Sequence, residues 1–216
     1  MTVTVHVSDH ALVADSLGVV RDVATPNAEF RRHLERIGTV LLVDASRRLP
    51  TEEVPITTPI TTTVGRRVVD APVIVPILRA GLGFVGAAEA LMPESPIGFV
   101  GVARDETTFE PMAYVDKLPT DLAGRRVIVV DPMLATGGSL IHVLDLLVTG
   151  GVTGPIGVVC ALAAPEGIAR LEEHCAGTGI DVEVFTASID ERLNERAYIV
   201  PGLGDAGDRL FGTPRH

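Results

Sequence analysis

The chain has 216 residues, of which 46% are hydrophobic, 21% charged and 4% aromatic, and its formal net charge is −10. The length predicts a single domain, and the apolar content is enough for a sizeable core, which excludes an intrinsically disordered chain. Nucleic acid and anionic membranes repel a surface this acidic, so we expect neither as a partner. A small anionic substrate would need local arginines, backbone N–H groups or a metal ion.

The cysteines and the N-terminus predict a cytoplasmic protein. Cys160 and Cys175 show no metal-binding spacing, and two free thiols are typical of a reducing compartment. Residues 1–10 lack the basic and apolar regions of a signal peptide. No apolar stretch reaches the ~18 residues of a membrane span.

The first third of the chain is predicted to be mainly helical. Between Asn27 and Ala45, apolar residues recur every three or four positions, which is typical of an amphipathic helix. Thr25 and Pro26 supply a plausible cap and first turn. Residues 50–63 are rich in threonine and proline and predict a loop or edge strands rather than a helix.

Short apolar runs then alternate with helices. The predicted strands cover residues 72–77, 97–103, 127–130, 157–163 and 182–187, and the predicted helices cover residues 83–91, 140–148 and 165–175. Strands that are apolar on both faces and alternate with helices indicate a parallel sheet. The predicted fold class is therefore α/β, with a central, mostly parallel sheet flanked by helices.

Two segments interrupt this alternation. Residues 104–120 are polar and charged and lack a helical period, which predicts an irregular connection of a length that is often functional. A solvent-exposed hairpin without a role in catalysis is the alternative. The tail after Ala187 contains four glycines between Pro201 and Gly212 and has little helix or strand propensity.

The segment Val127–Leu140, with the sequence VIVVDPMLATGGSL, is the best candidate for a ligand site. The small residues 135–139 follow a buried strand and open a helix, so their backbone N–H groups can surround an anion. Thr136 and Ser139 add hydroxyl donors. The segment matches neither the P-loop motif GxxxxGK[ST] nor the dinucleotide-binding motif GxGxxG. The pattern therefore favours a phosphate group on another kind of ligand. An ordinary tight turn is the alternative.

Three charged residues follow predicted strands. Arg79, Arg104 and Asp131 stand at or just after strand ends, which in a parallel sheet lie along one edge. Because arginine binds phosphate bidentately, two arginines beside a phosphate cradle predict a polyanion longer than one phosphate. Asp131 is placed to face sugar hydroxyls or a metal that they bind. Surface ion pairs for the arginines and a capping role for Asp131 are the alternatives.

The segment DPMLATGGS resembles the phosphoribosyl-pyrophosphate (PRPP) motif of type I phosphoribosyltransferases, in the form found in the uracil phosphoribosyltransferase family. The segments VPILRAGLG, FEPMAY, KLP, APEGI, TASID and YIVPGLGDAGDRLFGT are also similar to that family. The resemblance implies one Rossmann-like phosphoribosyltransferase domain over residues 1–216. It further implies a protruding arm at about 104–120, a C-terminal base-binding hood at about 188–216, and a homodimer or larger homo-oligomer.

The resemblance also implies an activity: transfer of ribose-5-phosphate from PRPP to N1 of uracil, giving UMP and pyrophosphate in pyrimidine salvage. The implied PRPP-binding residues are Arg79, Arg104, Asp131, Pro132, Met133, Leu134, Ala135, Thr136, Gly137, Gly138, Ser139 and Asp205. The implied uracil-binding residues are Ile199, Gly204, Asp205 and Ala206.

The same resemblance assigns chemical roles. Arg79, Arg104 and Asp131 would act in catalysis by positioning the substrate and stabilising charge. Mg²⁺ would be held mainly by PRPP and water, without a direct protein ligand. Backbone groups of Ile199 and of residues 202–206 are expected to read the edge of the base.

Two other functions stay open. A nucleotide-sensing regulator could keep the phosphate cradle while binding nucleic acid, but it would need a basic face, which a net charge of −10 disfavours. A purine phosphoribosyltransferase would share the cradle but not the glycine-rich tail. Regulation by GTP and the choice between dimer and tetramer are left open by the sequence.

Overall fold

The computed structural model describes residues 2–104 and 111–213, with the side chains of residues 103, 104 and 111–113 outside that description. The helices are α1 (Ala11–Arg21), α2 (Asn27–Ala45), α3 (Val85–Leu91), α4 (Gly138–Thr149), α5 (Pro165–Thr178) and α6 (Ala206–Phe211), with a 3-10 turn at Ala80–Phe84. The strands are β1 (Val3–Val7), β2 (Thr51–Thr57), β3 (Thr62–Val68), β4 (Val73–Leu78), β5 (Phe99–Arg104), β6 (Pro111–Lys117), β7 (Val127–Val130), β8 (Met133–Leu134), β9 (Ile156–Ala163), β10 (Val182–Ile189), β11 (Arg192–Leu193) and β12 (Ile199–Val200).

The main sheet has the strand order β1-β10-β9-β7-β4-β5-β6, and β8 also pairs with β9. All pairs are parallel except β5 with β6. This confirms the predicted α/β class. From the central β4 the chain runs to β5 on one side and later to β7 on the other. The order therefore reverses at β4, and open sheets of this kind bind ligands at the carboxyl ends of the strands beside such a reversal.

The sheet is apolar on both faces because helices cover each of them. In β4, Ile74 packs into one core with α1, α2 and α3, while Val73 and Val75 pack into the other core with α4 and α5. The predicted apolar stripe of α2 is confirmed, since Phe30 and Leu34 are fully buried. Each of the five predicted strands corresponds to a strand of the structure, and the predicted ends differ from the observed ends by at most two residues.

The N-terminal region contains more than the predicted helix. Residues 3–7 form β1 at the edge of the sheet, parallel to β10, and α1 precedes α2. The edge position explains why β1 is only partly buried and shows no continuous apolar run. The predicted cap at Thr25 was wrong: Pro26 is the N-cap of α2, and the Thr25 hydroxyl donates to the carbonyl of Val19 instead, at 2.7 Å.

The two polar segments are strand hairpins as far as they are described. β2 and β3 pair with each other outside the main sheet and are mostly exposed, which confirms the edge-strand alternative for residues 50–63. Residues 111–117 form β6 rather than an irregular connection, because they pair with β5 at the sheet edge. Residues 105–110 lie outside the described chain. Within residues 2–104 and 111–213, no helix is long and apolar enough to cross a membrane.

Candidate active site

The predicted charged residues stand at the ends of three neighbouring strands. β4 lies between β5 and β7, and all three are parallel. Arg79 follows β4, Arg104 is the last residue of β5, and Asp131 follows β7. The backbone therefore brings these positions to one edge of the sheet, as the sequence predicted. The side chain of Arg104 lies outside the described part of the chain.

Asp131 leaves the sheet at an interruption between β7 and β8. The N–H groups of Ala161 and Leu162 both donate to the carbonyl of Pro132, at 2.9 and 3.0 Å. The strand then resumes as β8 beside the same neighbour, β9. A proline that cannot donate is tolerated at such a break. The break places Asp131 in the wall of a cavity.

The residues of the predicted phosphate cradle line this cavity. Its volume is about 80 Å³, and it is lined by Asp131, Met133, Leu134, Ala135, Thr136, Gly137, Gly138, Ser139, Leu140, Val158 and Cys160. Gly137 is the N-cap of α4 and has a φ of 76°, which a residue with a side chain rarely adopts. The first N–H groups of α4 have no partner within the helix, and this amino end, with its partial positive charge, opens into the cavity. The Gly138 N–H donates to the Thr136 hydroxyl oxygen at 3.5 Å. The size of the cavity suits one phosphate group.

Asp131 titrates near neutrality. Burial raises the pKa of its carboxyl from 3.8 to about 7, and the Met133 N–H, which lowers it, offsets only part of that rise. Cys160 lies beneath it, where burial raises the thiol pKa to about 12; the Thr186 side chain lowers that pKa and the charge of Asp131 raises it. A ribose hydroxyl or a cation at Asp131 would favour the carboxylate form. Both cysteines are free and buried, as expected.

Two glycines allow backbone segments to touch behind the site. A Cβ on Gly81 would lie 2.5 Å from the carbonyl oxygen of Val130, next to Asp131. A Cβ on Gly167, in the first turn of α5, would lie 2.2 Å from the carbonyl oxygen of Ala135. Neither close approach leaves room for a side chain. The first holds the turn after Arg79 against β7, and the second supports the phosphate cradle from behind.

Arg79 contacts the C-terminal tail. Its Nη2 lies 3.4 Å from Oδ1 of Asp208, and its Nη1 lies 3.3 Å from the hydroxyl oxygen of Thr213. The Leu78–Arg79 peptide bond is cis. The side chain is half exposed and can reach an anion at the sheet edge. The alternative prediction, that Arg79 forms a surface ion pair, is thus supported by the contact with Asp208. The same contact places the C-terminal tail beside the end of β4.

The tail, to which the prediction assigns the hood, consists of the β11–β12 hairpin and α6. Ile199 and Ala206 are buried, while Gly204 is exposed with a φ of 83°. Asp205 caps α6 by accepting the N–H of Asp208 at 2.9 Å. The four residues predicted to bind uracil thus lie within one eight-residue segment, from β12 to the first residue of α6. Asp205 has a local structural role besides the predicted one.

Gly202 does not fit the prediction that residues 202–206 read the base. Its N–H donates to Asp190 at 2.9 Å, and its carbonyl accepts from Arg21 at 2.8 Å. Both backbone groups of Gly202 are hydrogen-bonded within the protein. Hydrogen bonds to the edge of the base would therefore have to come from Ile199 and from residues after Gly202. Sequence reasoning missed Arg21 and Asp190, because only the fold brings residues 169 positions apart together.

The first turn of α5 joins the hood to the cradle. Oε1 of Glu166 accepts the N–H of Leu193 in β11 at 2.8 Å, and that bond helps to hold the pKa of Glu166 below its usual range. The next residue, Gly167, packs on Ala135 of the cradle. On the same helix, Arg170 lies 3.4 Å from the carbonyl oxygen of Thr136. The APEGI segment contributed to the sequence prediction only through its resemblance to the family. Its glycine, Gly167, was the one sequence signal that another backbone segment approaches α5 closely here.

A larger cavity, of about 280 Å³, lies between the end of α2 and the edge strand β1. None of the predicted site residues lines it. Four of its charged side chains form ion pairs, Arg47 with Asp44 at 2.6 Å and Arg48 with Glu183 at 2.8 Å. The predicted cradle residues and Asp131 line the smaller cavity instead.

Comparison with known proteins identifies the family. The family model described as uracil phosphoribosyltransferase matches residues 7–213. A uracil phosphoribosyltransferase of Corynebacterium diphtheriae is 49% identical over 212 residues, covering 98% of each chain. The structure of the AQ2163 protein from Aquifex aeolicus aligns with a TM-score of 0.90 at 36% identity, over 99% of this chain and 100% of that one.

The fold is shared more widely than the sequence. A hypoxanthine-guanine phosphoribosyltransferase from Bacillus anthracis aligns with a TM-score of 0.51 at 14% identity, over 76% of this chain and 80% of that one. At that identity the likeness shows the fold alone. The near-complete family match and the 49% identical relative decide the family. The chain belongs to the uracil phosphoribosyltransferase family, as its motifs indicated.

Proposed function

We propose that this protein transfers ribose-5-phosphate from PRPP to N1 of uracil, giving UMP and pyrophosphate. Family membership supports the reaction, and one structural observation carries its assignment to this site. The phosphate cradle follows β7, Arg79 follows the neighbouring strand β4, and Arg79 contacts the hood through Asp208. Phosphate, pyrophosphate and base can thus be bound side by side.

In this reaction the bond between C1 of the ribose and the pyrophosphate oxygen breaks, and a bond from C1 to N1 of uracil forms. Uracil releases its N1 proton to solvent, and the electron pair of the N1–H bond forms the new bond to C1. The leaving pyrophosphate takes the electron pair of the broken C1–O bond. The cradle holds the 5-phosphate, and Arg79 and Arg104 bind the pyrophosphate. Asp131 accepts from the ribose hydroxyls. Alignment of the three parts and neutralisation of the leaving charge lower the barrier to the oxocarbenium-like transition state.

We propose Mg²⁺ as the cofactor, bound mainly by PRPP and water. The donor set supports such an ion: the Asp131 carboxyl lines the cradle, and burial raises its pKa, so a nearby positive charge would favour its carboxylate form. Mg²⁺ prefers oxygen ligands and usually retains several waters. When bound, it would neutralise part of the charge on the pyrophosphate. Among residues 2–104 and 111–213, no group of three or more His, Cys, Asp or Glu side chains is arranged to hold a metal.

We also propose a cytoplasmic homo-oligomer. The exposed β2–β3 hairpin supports self-association, because Ile56, Ile60, Val64 and Val68 on it are large apolar residues in contact with solvent. Two free cysteines support a reducing compartment. Sedimentation measurements would give the oligomeric state, and a strictly monomeric protein would contradict that part of the proposal.

A base-selection assay tests the proposed reaction. The purified protein is given PRPP, Mg²⁺ and one base at a time: uracil, hypoxanthine or cytosine. We expect product from uracil alone. Product from hypoxanthine alone would favour a purine phosphoribosyltransferase. Absence of turnover with every base, together with binding of nucleic acid, would favour the regulator.

A further inference from the structure

The loop that carries the predicted uracil-binding residues is anchored on the carboxyl end of α1. Arg21, the last residue of α1, donates to the carbonyl of Gly202 at 2.8 Å. One residue further along the loop, the carbonyl of Leu203 accepts from Arg209 at 2.9 Å. Arg209 also donates to the carbonyl of Asp22 at 2.6 Å. Two consecutive loop residues are thus held at the same helix end.

Arg21 holds its position through a buried ion pair with Asp190, at the end of β10. Its two terminal nitrogens bind the two carboxylate oxygens, at 2.8 and 2.6 Å. The Asp190 side chain is only 2% exposed. Burial alone would raise the pKa of Asp190, but the Arg21 guanidinium and the donors Gly202 N–H and Ser188 hydroxyl hold it below its usual range. The aspartate is therefore an anion with a full set of donors.

The pair holds Gly202 on both sides of its Cα. Asp190 accepts the N–H of Gly202, which belongs to the peptide group with Pro201, and Arg21 donates to the Gly202 carbonyl, which belongs to the peptide group with Leu203. Gly202 has a φ of 64°, and a Cβ there would lie 2.1 Å from the carbonyl oxygen of Ile199. Fixing Gly202 therefore also fixes its distance from Ile199. A base-reading loop needs its backbone groups held to about 0.5 Å.

We propose that Arg21 and Asp190 are positioning residues for the base: their buried ion pair sets the conformation of residues 199–206, the segment that contains the predicted uracil-binding residues. The proposal rests on the proposed function. Neither side chain touches the substrate, and both act through the N–H and carbonyl groups of Gly202. The ion pair makes the selection of the base depend on α1, a helix far from the cradle in sequence.

Three variants test the proposal by separating the two substrates. In Arg21→Gln and Asp190→Asn, we expect KM for uracil to rise on the order of tenfold or more, as for the loss of a charge-assisted hydrogen bond. KM for PRPP should stay within about twofold, since the cradle is unaltered. Arg21→Lys should be intermediate, because lysine keeps the charge but lacks the planar fork.

A matched control is Arg36→Gln. Arg36 also ties α1 to its neighbour, through an ion pair with Asp15 at 3.1 Å, but it does not contact the loop. Both KM values should match the wild type. Hydrogen exchange gives a readout independent of turnover: the Gly202 amide should be protected in the wild type and in the control, and should exchange at least about tenfold faster in Arg21→Gln and Asp190→Asn.

A purely structural ion pair would give another pattern. Lower melting temperatures, with wild-type uracil KM and wild-type exchange at Gly202, would overturn the proposal. A wild-type protein that does not use uracil would be a separate failure, seen before any variant is compared. That result would contradict the proposed function, and the positioning role would fall with it.

Discussion

The guanidinium of Arg79 at the end of β4 lies 3.4 Å from the carboxylate of Asp208 in the first turn of α6. This contact spans 129 residues and joins the strand-end site to the hood. A pyrophosphate at Arg79 would have to share the guanidinium with Asp208 or displace it. Pyrophosphate binding at Arg79 would therefore change its contact with Asp208 in the tail.

Arg79→Lys should impair catalysis although the charge is retained. Lysine presents a point charge where a planar fork is needed. Losing one charge-assisted bond costs roughly 1.5–3 kcal/mol, or about ten- to more than a hundredfold in kcat/KM if the bond strengthens in the transition state. Steady-state kinetics would measure the loss. Arg47→Lys, in an exposed ion pair with Asp44, is the control. Wild-type kinetics in Arg79→Lys would contradict a catalytic role and would leave Arg79 with only a surface ion pair to Asp208.

Gly137→Val should abolish PRPP binding and leave the fold largely intact. The φ of 76° disfavours a β-branched residue, and a Cβ would lie 3.1 Å from the carbonyl oxygen of Gly167. Gly124→Val is a matched control: its φ is 73°, with open space around the Cβ and no part in the cradle. Calorimetric titration should show PRPP binding in the control alone. Equal affinity in both variants would mean that the turn is not the phosphate site.

Gly167→Ala should weaken PRPP binding from behind the cradle. The new Cβ would lie 2.2 Å from the carbonyl oxygen of Ala135, so the cradle or α5 has to move. Gly177→Ala, on the same helix with open space around it, should bind PRPP normally and should raise stability by about 1 kcal/mol. Titration of both variants decides. Normal PRPP affinity in Gly167→Ala would show that the contact does not shape the cradle.

The raised pKa of Asp131 predicts a pH-dependent cost in stability. Between pH 3.8 and about 7 the native carboxyl keeps a proton that the unfolded chain has lost, so stability falls as the pH rises through this window. The full cost, of the order of 4 kcal/mol at about 1.4 kcal/mol per pKa unit, is present above pH 7.

Asp131→Asn should therefore be more stable than the wild type at pH 8, with an advantage that shrinks towards pH 5. Thermal unfolding of both proteins at several pH values would measure it. Asp121→Asn removes a mostly exposed carboxylate and should show little pH-dependent difference. An advantage for Asp131→Asn that is the same at every pH would contradict the raised pKa.

The hood predicts a sharp choice between pyrimidines. Uracil presents an acceptor, a donor and an acceptor along O2, N3 and O4, and cytosine reverses two of these three. A site with fixed polar groups rejects such an analogue by up to roughly 10⁴–10⁵-fold. 5-Fluorouracil keeps the edge and should be turned over. Comparable kcat/KM for uracil and cytosine would contradict base reading by the loop.

Much of this architecture was predictable because single local patterns encode it. The apolar runs of β4, β7 and β9 need no partner to be recognised, and the small residues before α4 mark a phosphate turn by themselves. Asp131 could be placed at a strand end for the same reason. The family motifs then supplied the predicted uracil-binding residues, which no periodicity reveals.

The remainder depends on contacts between distant residues. Arg21 looks like any charged residue at a helix end until Asp190 is brought to it, and the role of Gly202 follows from both. β1 was missed since an edge strand needs only a weak apolar pattern. The raised pKa of Asp131 likewise results from burial in the folded protein rather than from its neighbours in sequence.

Product stoichiometry tests the central claim most directly. Purified protein, PRPP, Mg²⁺ and uracil are combined, and UMP and pyrophosphate are quantified by chromatography over time. Our account predicts that the two products form in equal amounts and that neither forms when uracil is omitted. Pyrophosphate release without UMP, or a nucleotide product formed from hypoxanthine while uracil is left unchanged, would contradict it.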